Sequence, residues 1–243
     1  MKQNYHAITL DKKDIGETDR LYTFYTYEVG MIRVPARAVR KGKAKLSSQI
    51  EDFVLSHITI AQNYGRGILA GAVAENYFVA LHKNYDALSC VDSVRGVLLT
   101  TIGENDCDKN IFALLVQYLT QLDTIAKKKE DVEQKSKMQW ITNSFLIKLF
   151  ALQGYTFNIV KCCACYGAIC ETRNGFSAQR GGILCANCFR GEEYLSYIDP
   201  DALKALRIIQ GNRLQSLSKV TVHNNVQVQL GRIIVDIERW VMR

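Results

Sequence analysis

Short apolar runs separated by polar, glycine-bearing segments occupy roughly the first 78 residues of the chain. Residues 7–10, 21–27, 31–38, 53–61 and 68–74 are rich in aliphatic, aromatic and β-branched side chains. Runs of this length, bounded by turn residues, are typical of β-strands. Pro35 cannot donate to a hydrogen-bond ladder, so the third strand is predicted at a sheet edge or a bulge. Five short strands in so few residues predict a small barrel or a sandwich.

The apolar positions change to a helical spacing between about residues 75 and 160. Steps of three and four residues connect two sets of apolar side chains, which predict two amphipathic helices. The first set is Ile111, Leu114, Leu115, Tyr118, Leu119, Leu122 and Ile125, and the second is Met138, Ile141, Phe145, Leu149 and Leu152. Gly154 is placed to end the second helix.

Two further helices are predicted near the C-terminus. Asp199-Pro200-Asp201 is typical of a helix start, because proline fits the first turn, and this helix is expected over 202–210. The final helix is predicted from another apolar series with helical spacing: Val226, Leu230, Ile233, Ile234, Ile237 and Trp240.

Two Cys-x-x-Cys pairs lie between these helical regions, with 19 residues separating the inner cysteines. Thiolates at this spacing can close around a tetrahedral zinc ion, two from each turn. The predicted ligands are Cys162, Cys165, Cys185 and Cys188. Four thiolates leave zinc no open position for water or substrate, so a structural Zn²⁺ is expected rather than a catalytic one.

Other arrangements of these cysteines stay open at this point. Cys163 and Cys170 lie in the same neighbourhood, so a different set of four could bind the metal. The cysteines could also form disulfides or simply be buried thiols. Disulfides need an oxidising compartment, and no other feature of the sequence indicates one.

Charge is distributed unevenly in a composition that is otherwise ordinary for a soluble globular protein. The chain carries a net charge of +7 with a pI near 8.9, and 48% of its residues are hydrophobic. Residues 33–45 hold six cations and no acid: Arg33, Arg37, Arg40, Lys41, Lys43 and Lys45. This concentration predicts a polyanion partner rather than a generally solvated surface.

Aromatic residues occupy the strand predicted to pair with this basic run. Rings beside a cationic strand can stack bases, as small barrels do when they hold single-stranded nucleic acid. The four rings are Tyr22, Phe24, Tyr25 and Tyr27. At least half of them are expected to lie in the core instead.

Catalytic motifs are missing from the sequence, so an enzyme is not expected. Its four histidines, His6, His57, His82 and His223, are scattered and form no metal-protease or deaminase motif, and there is no phosphate-binding P-loop.

The first residues lack the apolar region of a secretory signal, and no apolar run approaches the roughly 20 residues of a membrane span. A cytoplasmic protein without a membrane partner is therefore expected.

Four segments together resemble the RecO family of bacterial recombination mediators. They are 7–10 with 14–21, the basic segment 33–43, Tyr64-Gly65-Arg66-Gly67, and 181–188 with the second cysteine pair, in the order and spacing of the family. The likeness is best over 1–80 and 160–190, whereas the helices match only by length and pattern. It adds Arg66 to the candidate DNA-binding residues.

The resemblance implies an α+β multidomain protein. Its parts would be an N-terminal OB-fold, a five-stranded β-barrel (1–78), an all-α domain (79–158 and 192–243) and an inserted four-cysteine zinc ribbon (159–191). Members of this family bind single- and double-stranded DNA and anneal complementary strands. With RecR and the C-terminal tail of single-stranded DNA-binding protein (SSB), they help RecA load onto SSB-coated strands in recombinational repair.

Two other functions remain open. A zinc-ribbon regulator would read duplex DNA through a recognition helix, for which 202–213 is the candidate. An assembly scaffold would bind proteins through an apolar groove and bind little DNA.

Overall fold

The computed structural model describes residues 1–40, 46–61, 67–128, 131–169, 174–189 and 196–242. The chain divides into two compact units, Met1–Asp123 and Thr124–Arg243.

The first unit contains a five-stranded antiparallel sheet in the order β3-β2-β1-β4-β5. All five predicted strands are confirmed, and Pro35 lies on an edge strand as expected. The first two strands are joined at Gly16, whose φ of +63° suits glycine. The strands are β1 (Lys2–Ile15), β2 (Asp19–Thr26), β3 (Gly30–Ala36), β4 (Leu55–Ala61) and β5 (Ile68–Asn76).

The predicted barrel closure is wrong, because β3 and β5 do not pair in the described part of the sheet. Pro35 removes a donor from β3, and register shifts interrupt the β4–β5 pairing. Side chains from both edge strands, including Val34 and Leu69, nevertheless lie in one buried core with Phe24 and Ile58. The result is an open, OB-like sheet with a continuous apolar core.

Helices follow the sheet in the first unit. They are α1 (Val79–Lys83), α2 (Tyr85–Thr101) and α3 (Lys109–Ala126), and α3 ends three residues beyond the first unit. A short 3-10 helix (Ser47–Gln49) precedes β4. The helix predicted around Ile111–Ile125 is therefore confirmed. Asn84 caps α2 by accepting a hydrogen bond from the Ala87 N–H at 2.9 Å. The Asp123 carboxylate accepts from the N–H groups of Ala80 and Leu81, which stabilises the start of α1.

The second unit is built around α4 (Val132–Leu152), most of whose residues are buried. Asp131 caps its start, and Gly154 follows its end with a φ of +92°, as predicted. Trp140 is fully buried, and its indole N–H donates to the Leu217 carbonyl at 2.9 Å. The other helices are α5 (Pro200–Gly211), α6 (Leu214–Leu217) and α7 (Asn224–Val241).

The predicted start of α5 is confirmed, because Asp199 accepts a hydrogen bond from the Ala202 N–H at 2.8 Å. A three-stranded sheet lies between α4 and α5 in sequence, with order β7-β6-β8. Its strands are β6 (Asn174–Ser177), β7 (Gly182–Leu184) and β8 (Ser196–Ile198). Within the described ranges, none of the helices is long and apolar enough to cross a membrane.

Candidate metal centre and nucleic-acid interface

The four predicted ligand cysteines meet in the second unit. Their sulfur atoms all lie within 4.8 Å of one another, and Cys162 and Cys185 are buried. The Sγ atoms of Cys165 and Cys185 are 3.8 Å apart. Two sulfurs bound tetrahedrally to zinc, at about 2.3 Å each, would be separated by about 3.8 Å. The cluster therefore has the dimensions of a four-cysteine zinc site.

The alternative ligands and disulfides receive no support. Cys163 is outside the four-sulfur group, and Cys170 lies outside the described residues. The described cysteines are all free thiols, and 3.8 Å is far longer than a disulfide bond of about 2.05 Å.

Backbone turns place the sulfurs of each pair on the same side. In the first turn, the Cys162 N–H donates to the Gly167 carbonyl at 3.0 Å and its carbonyl accepts from the Tyr166 N–H at 2.9 Å. In the second turn, the Phe189 N–H donates to the Cys185 carbonyl at 2.9 Å. The turns are linked because the Cys163 N–H donates to the Ile183 carbonyl in β7 at 2.8 Å.

Two glycines allow the ribbon to pack tightly. A Cβ on Gly175 would lie 2.1 Å from a ring carbon of Phe189, the residue that closes the second cysteine turn. Gly182 has a φ of +147°, and a Cβ there would lie 2.2 Å from the Asn158 carbonyl oxygen. Glycine is thus required at position 182 for both conformation and space.

Hydrogen bonds distribute protons unevenly in the cluster. Burial alone would raise the pKa of the Cys162 thiol, but backbone N–H groups of Cys165, Cys185 and Ala164 together lower it to about 6. Hydrogen bonds to the sulfurs of Cys165 and Cys185 raise the pKa of Cys188 to about 12. These contacts favour the thiolate form of Cys162 and the protonated form of Cys188. A Zn²⁺ ion would displace the remaining protons and bind four thiolates.

The described cations of the basic segment differ in how firmly the protein holds them. Arg33 lies on β3 with its side chain 50% exposed, and its Nη1 is 3.1 Å from Glu104 Oε1. Arg37 is exposed in the turn after β3. Arg40 donates from Nη1 to the Gly16 carbonyl at 3.0 Å. Of these three arginines, Arg40 is therefore bonded to the β1–β2 turn, whereas Arg33 and Arg37 are exposed without such a bond.

Arg40 also takes part in an ion-pair cluster at that turn. Its Nε is 3.5 Å from an oxygen of Asp14, whose other oxygen is 2.6 Å from Arg20 Nε. Arg20, with a smaller contribution from Arg40, holds the pKa of the Asp14 carboxyl below its ordinary value. The remaining predicted DNA-binding residues, Lys41, Lys43, Lys45 and Arg66, lie outside the described residues.

Most of the predicted stacking rings belong to the core. Tyr22, Phe24 and Tyr25 are fully buried, so the idea that they stack on bases is wrong, and the expectation that at least half are core residues is confirmed. Burial is also the main reason why the pKa of Tyr25 is raised strongly. Tyr27 is 39% exposed, and Lys109 Nζ lies 4.9 Å from its ring centroid. Tyr27 is therefore the one ring of the four that can reach a nucleobase.

A surface groove that no sequence pattern predicts lies beside Arg33. It has a volume of about 290 Å³ and is lined in part by the edge strand β3. Its walls combine apolar groups such as Ile32 and Ile60 with the polar groups of Gln3, Tyr5 and Asn105. The linear sequence contains no signal for it, because it draws on three strands and on the segment around Asn105.

This chain is an α+β protein. Its first unit has an open OB-like sheet with an exposed basic edge, and its second unit is helical and carries a four-cysteine centre. Its sequence matches the family model "Recombination protein O N terminal" over residues 1–74 and "Recombination protein O C terminal" over 82–241. The chain belongs to the RecO family of DNA repair proteins. This membership supports a role in recombinational repair.

Curated relatives agree with the family models. The DNA repair protein RecO of Dehalococcoides mccartyi is 27% identical over 92% of this chain and 84% of its own length. The RecO protein of Desulforamulus reducens is 22% identical over 94% of this chain and 85% of its own length. That of Syntrophotalea carbinolica is 27% identical over 86% and 81%, respectively. The similarity therefore extends across both units.

Proposed function

We propose that this chain is a recombination mediator that binds single- and double-stranded DNA and anneals complementary strands. It works with RecR and the C-terminal tail of SSB to help RecA load onto SSB-coated strands. The observation that supports this most is the exposed basic edge of the OB-like sheet. Arg33 and Arg37 begin a segment with six cations and no acid, and Arg33 borders a groove.

The mechanism is electrostatic and needs no catalytic group. Cations along the edge neutralise phosphates on two strands and lower the repulsion that opposes their pairing. Tyr27 and the polar groove walls offer surfaces for unpaired bases. The chain is accordingly proposed not to be an enzyme.

Zinc has a structural role in this proposal. Cys162, Cys165, Cys185 and Cys188 would hold the ion, and their sulfurs already converge at suitable separations. The bound ion supplies cross-links between the two cysteine turns and hence folding free energy for the ribbon.

A duplex-reading regulator is less well supported, because α5 is a poor recognition helix. Recognition helices contact bases mainly through their N-terminal residues, and α5 is capped by Asp199 and has Pro200 and Asp201 in its first turn. Arg207 on its exposed side donates from Nε and Nη2 to the Ile159 carbonyl at 3.2 and 3.0 Å. The acidic residues at the start of α5 would repel phosphates, and Arg207 already donates its hydrogen bonds within the protein. Both features disfavour phosphate and base contacts by this helix.

A groove of about 330 Å³ in the second unit is the proposed place for the SSB tail. Val132, Trp140 and Val222 form apolar parts of its wall, and Lys137 adds a cation beside its partner Glu133. Val132 is 86% exposed, so Val132→Asp should weaken tail binding without opening the core. Val228→Asp, an exposed apolar position on α7, is the control. Fluorescence anisotropy measures the affinity of each variant for a labelled SSB C-terminal peptide. Equal affinities of the two variants would refute this placement of the tail.

An electrophoretic assay of the full-length protein separates the three functions. Single strands, duplexes and a pair of complementary strands are incubated with protein, with and without magnesium. A mediator shifts single strands and duplexes and accelerates annealing. A regulator would shift only duplexes of particular sequence, and a scaffold would shift none; either result would overturn the proposal.

A further inference from the structure

Two histidines that are far apart in sequence meet a glutamate on the surface of the first unit. His6 on β1 and His57 on β4 are direct partners in the antiparallel register. The β4–β5 register shifts between Leu55 and Ser56, whose partners are Asn76 and Ala74. Glu75 is the extra residue of this bulge, and a bulge redirects the side chain that it leaves unpaired. The three side chains are thereby brought to one place.

Their ligand atoms converge on a small volume. Glu75 Oε2 lies 2.6 Å from His6 Nε2 and 3.3 Å from His57 Nε2. The imidazole rings are stacked with centroids 4.6 Å apart and an interplanar angle of 6°. Since both nitrogens contact the same oxygen, the donor edges of the two rings face the same carboxylate. One ligand atom from each residue lies within 4.8 Å of the others.

These separations are close to those of a coordination shell. Zinc bound at about 2.0–2.1 Å to nitrogen and oxygen sets neighbouring ligand atoms about 3.3 Å apart in a tetrahedron. The His57–Glu75 pair already has this separation. The His6–Glu75 pair has to lengthen from 2.6 Å to about 3.3 Å, and one imidazole has to rotate out of the parallel stack, because Nε2 binds a metal in the plane of its ring.

The protein holds the ligands in position and leaves them accessible. The backbone N–H of His6 donates to both carboxylate oxygens of Glu28 at 3.1 and 3.0 Å, and the His6 ring centroid lies 5.4 Å from that of Phe112. The side chains of His6, His57 and Glu75 are 29%, 63% and 46% exposed, so an aqueous ion can reach them. Glu28 adds a second negative charge to the neighbourhood.

We propose that His6, His57 and Glu75 bind a divalent transition-metal ion such as Zn²⁺ or Ni²⁺. Two imidazoles and one carboxylate form a ligand set that suits these ions better than Mg²⁺ or Ca²⁺, which prefer oxygen. Three protein ligands leave at least one position for water. This site is separate in sequence and chemistry from the four cysteines. A bound ion ties β1, β4 and β5 together through their side chains.

The metal stoichiometry of the full-length protein tests the proposal. Protein already loaded with zinc at the cysteines is dialysed to equilibrium against micromolar Zn²⁺, and bound zinc is measured by elemental analysis. Wild type should hold two zinc ions per chain, and His57→Gln/Glu75→Gln should hold one. His223→Gln, an exposed histidine at the start of α7, should hold two and is the matched control.

Two further measurements guard against a folding artefact. His57→Gln alone changes the most exposed ligand and should weaken binding of the second ion at least tenfold, since loss of a residue that merely supports a ligand already costs about 10- to 100-fold. Zinc X-ray absorption should show nitrogen and oxygen around the second ion and only sulfur around the first. One zinc in wild type, or a second zinc that persists in His57→Gln, would overturn the proposal. Neither result depends on DNA binding.

Discussion

The ion pair between Arg33 and Glu104 should restrain DNA binding, because a phosphate must displace Glu104 to reach the guanidinium. Arg33 Nη1 is 3.1 Å from Glu104 Oε1, and both side chains are about half exposed. Exposed pairs of this kind contribute roughly 0.2–1 kcal/mol. Glu104→Gln should therefore raise single-strand affinity about 1.4- to 5-fold, since about 1.4 kcal/mol corresponds to tenfold.

A double-mutant cycle separates release of Arg33 from a general change in charge. Affinity for a labelled oligothymidylate is measured by fluorescence anisotropy at fixed salt for wild type, Glu104→Gln, Arg33→Ala and the double variant. Arg33→Ala should bind more weakly, and adding Glu104→Gln to it should restore little. An equal gain in both backgrounds would mean that Arg33 does not contact DNA, and weaker binding of Glu104→Gln would refute the reasoning altogether.

Stability measurements on single variants test three other features of the structure. Cys162→Ser should release zinc and destabilise the second unit by more than about 4 kcal/mol, while DNA binding by the first unit persists. Metal analysis and unfolding measurements test this, and a variant as stable as wild type would show that the metal is dispensable. Gly175→Ala should lower the free energy of unfolding in urea by about 1–3 kcal/mol, because its Cβ would clash with the Phe189 ring. Gly211→Ala, whose Cβ would meet open space, should leave that free energy unchanged. Equal stabilities of the two variants would contradict the packing at Gly175. Arg40→Ala should lose about 0.5–1.5 kcal/mol of stability with its bond to Gly16, whereas Arg37→Ala should stay within about 0.5 kcal/mol; the reverse order would be inconsistent with their contacts.

Local patterns predicted those features whose determinants lie close together in sequence. The Cys-x-x-Cys spacing selects ligands because each pair shares one tight turn, and both turns are present. Asp199 and Pro200 mark a helix start because capping involves only the next few residues. Pro35 marks an edge strand because its missing N–H has the same effect in any sheet.

Features that depend on long-range register could not be predicted in this way. Arg33 and Glu104 are separated by 71 positions, and no local pattern brings them together. His6 and His57 looked scattered because their meeting depends on the β1–β4 register. The aromatic residues of β2 were ambiguous for a related reason: burial of Phe24 depends on which face of the strand the rest of the sheet covers.

Salt dependence of single-strand binding tests the central claim most directly. If 4–6 phosphates are neutralised, log K against log[salt] should slope about −3 to −4 on single strands. Lys41→Ala/Lys43→Ala/Lys45→Ala should stay folded, anneal weakly and bind with a slope shallower by about 2, since each phosphate contact contributes about 0.7. Lys204→Ala/Arg232→Ala/Arg239→Ala removes the same charge from exposed helix positions and should keep the wild-type slope. An unchanged affinity and slope in the first variant would contradict the assignment of the basic segment to DNA.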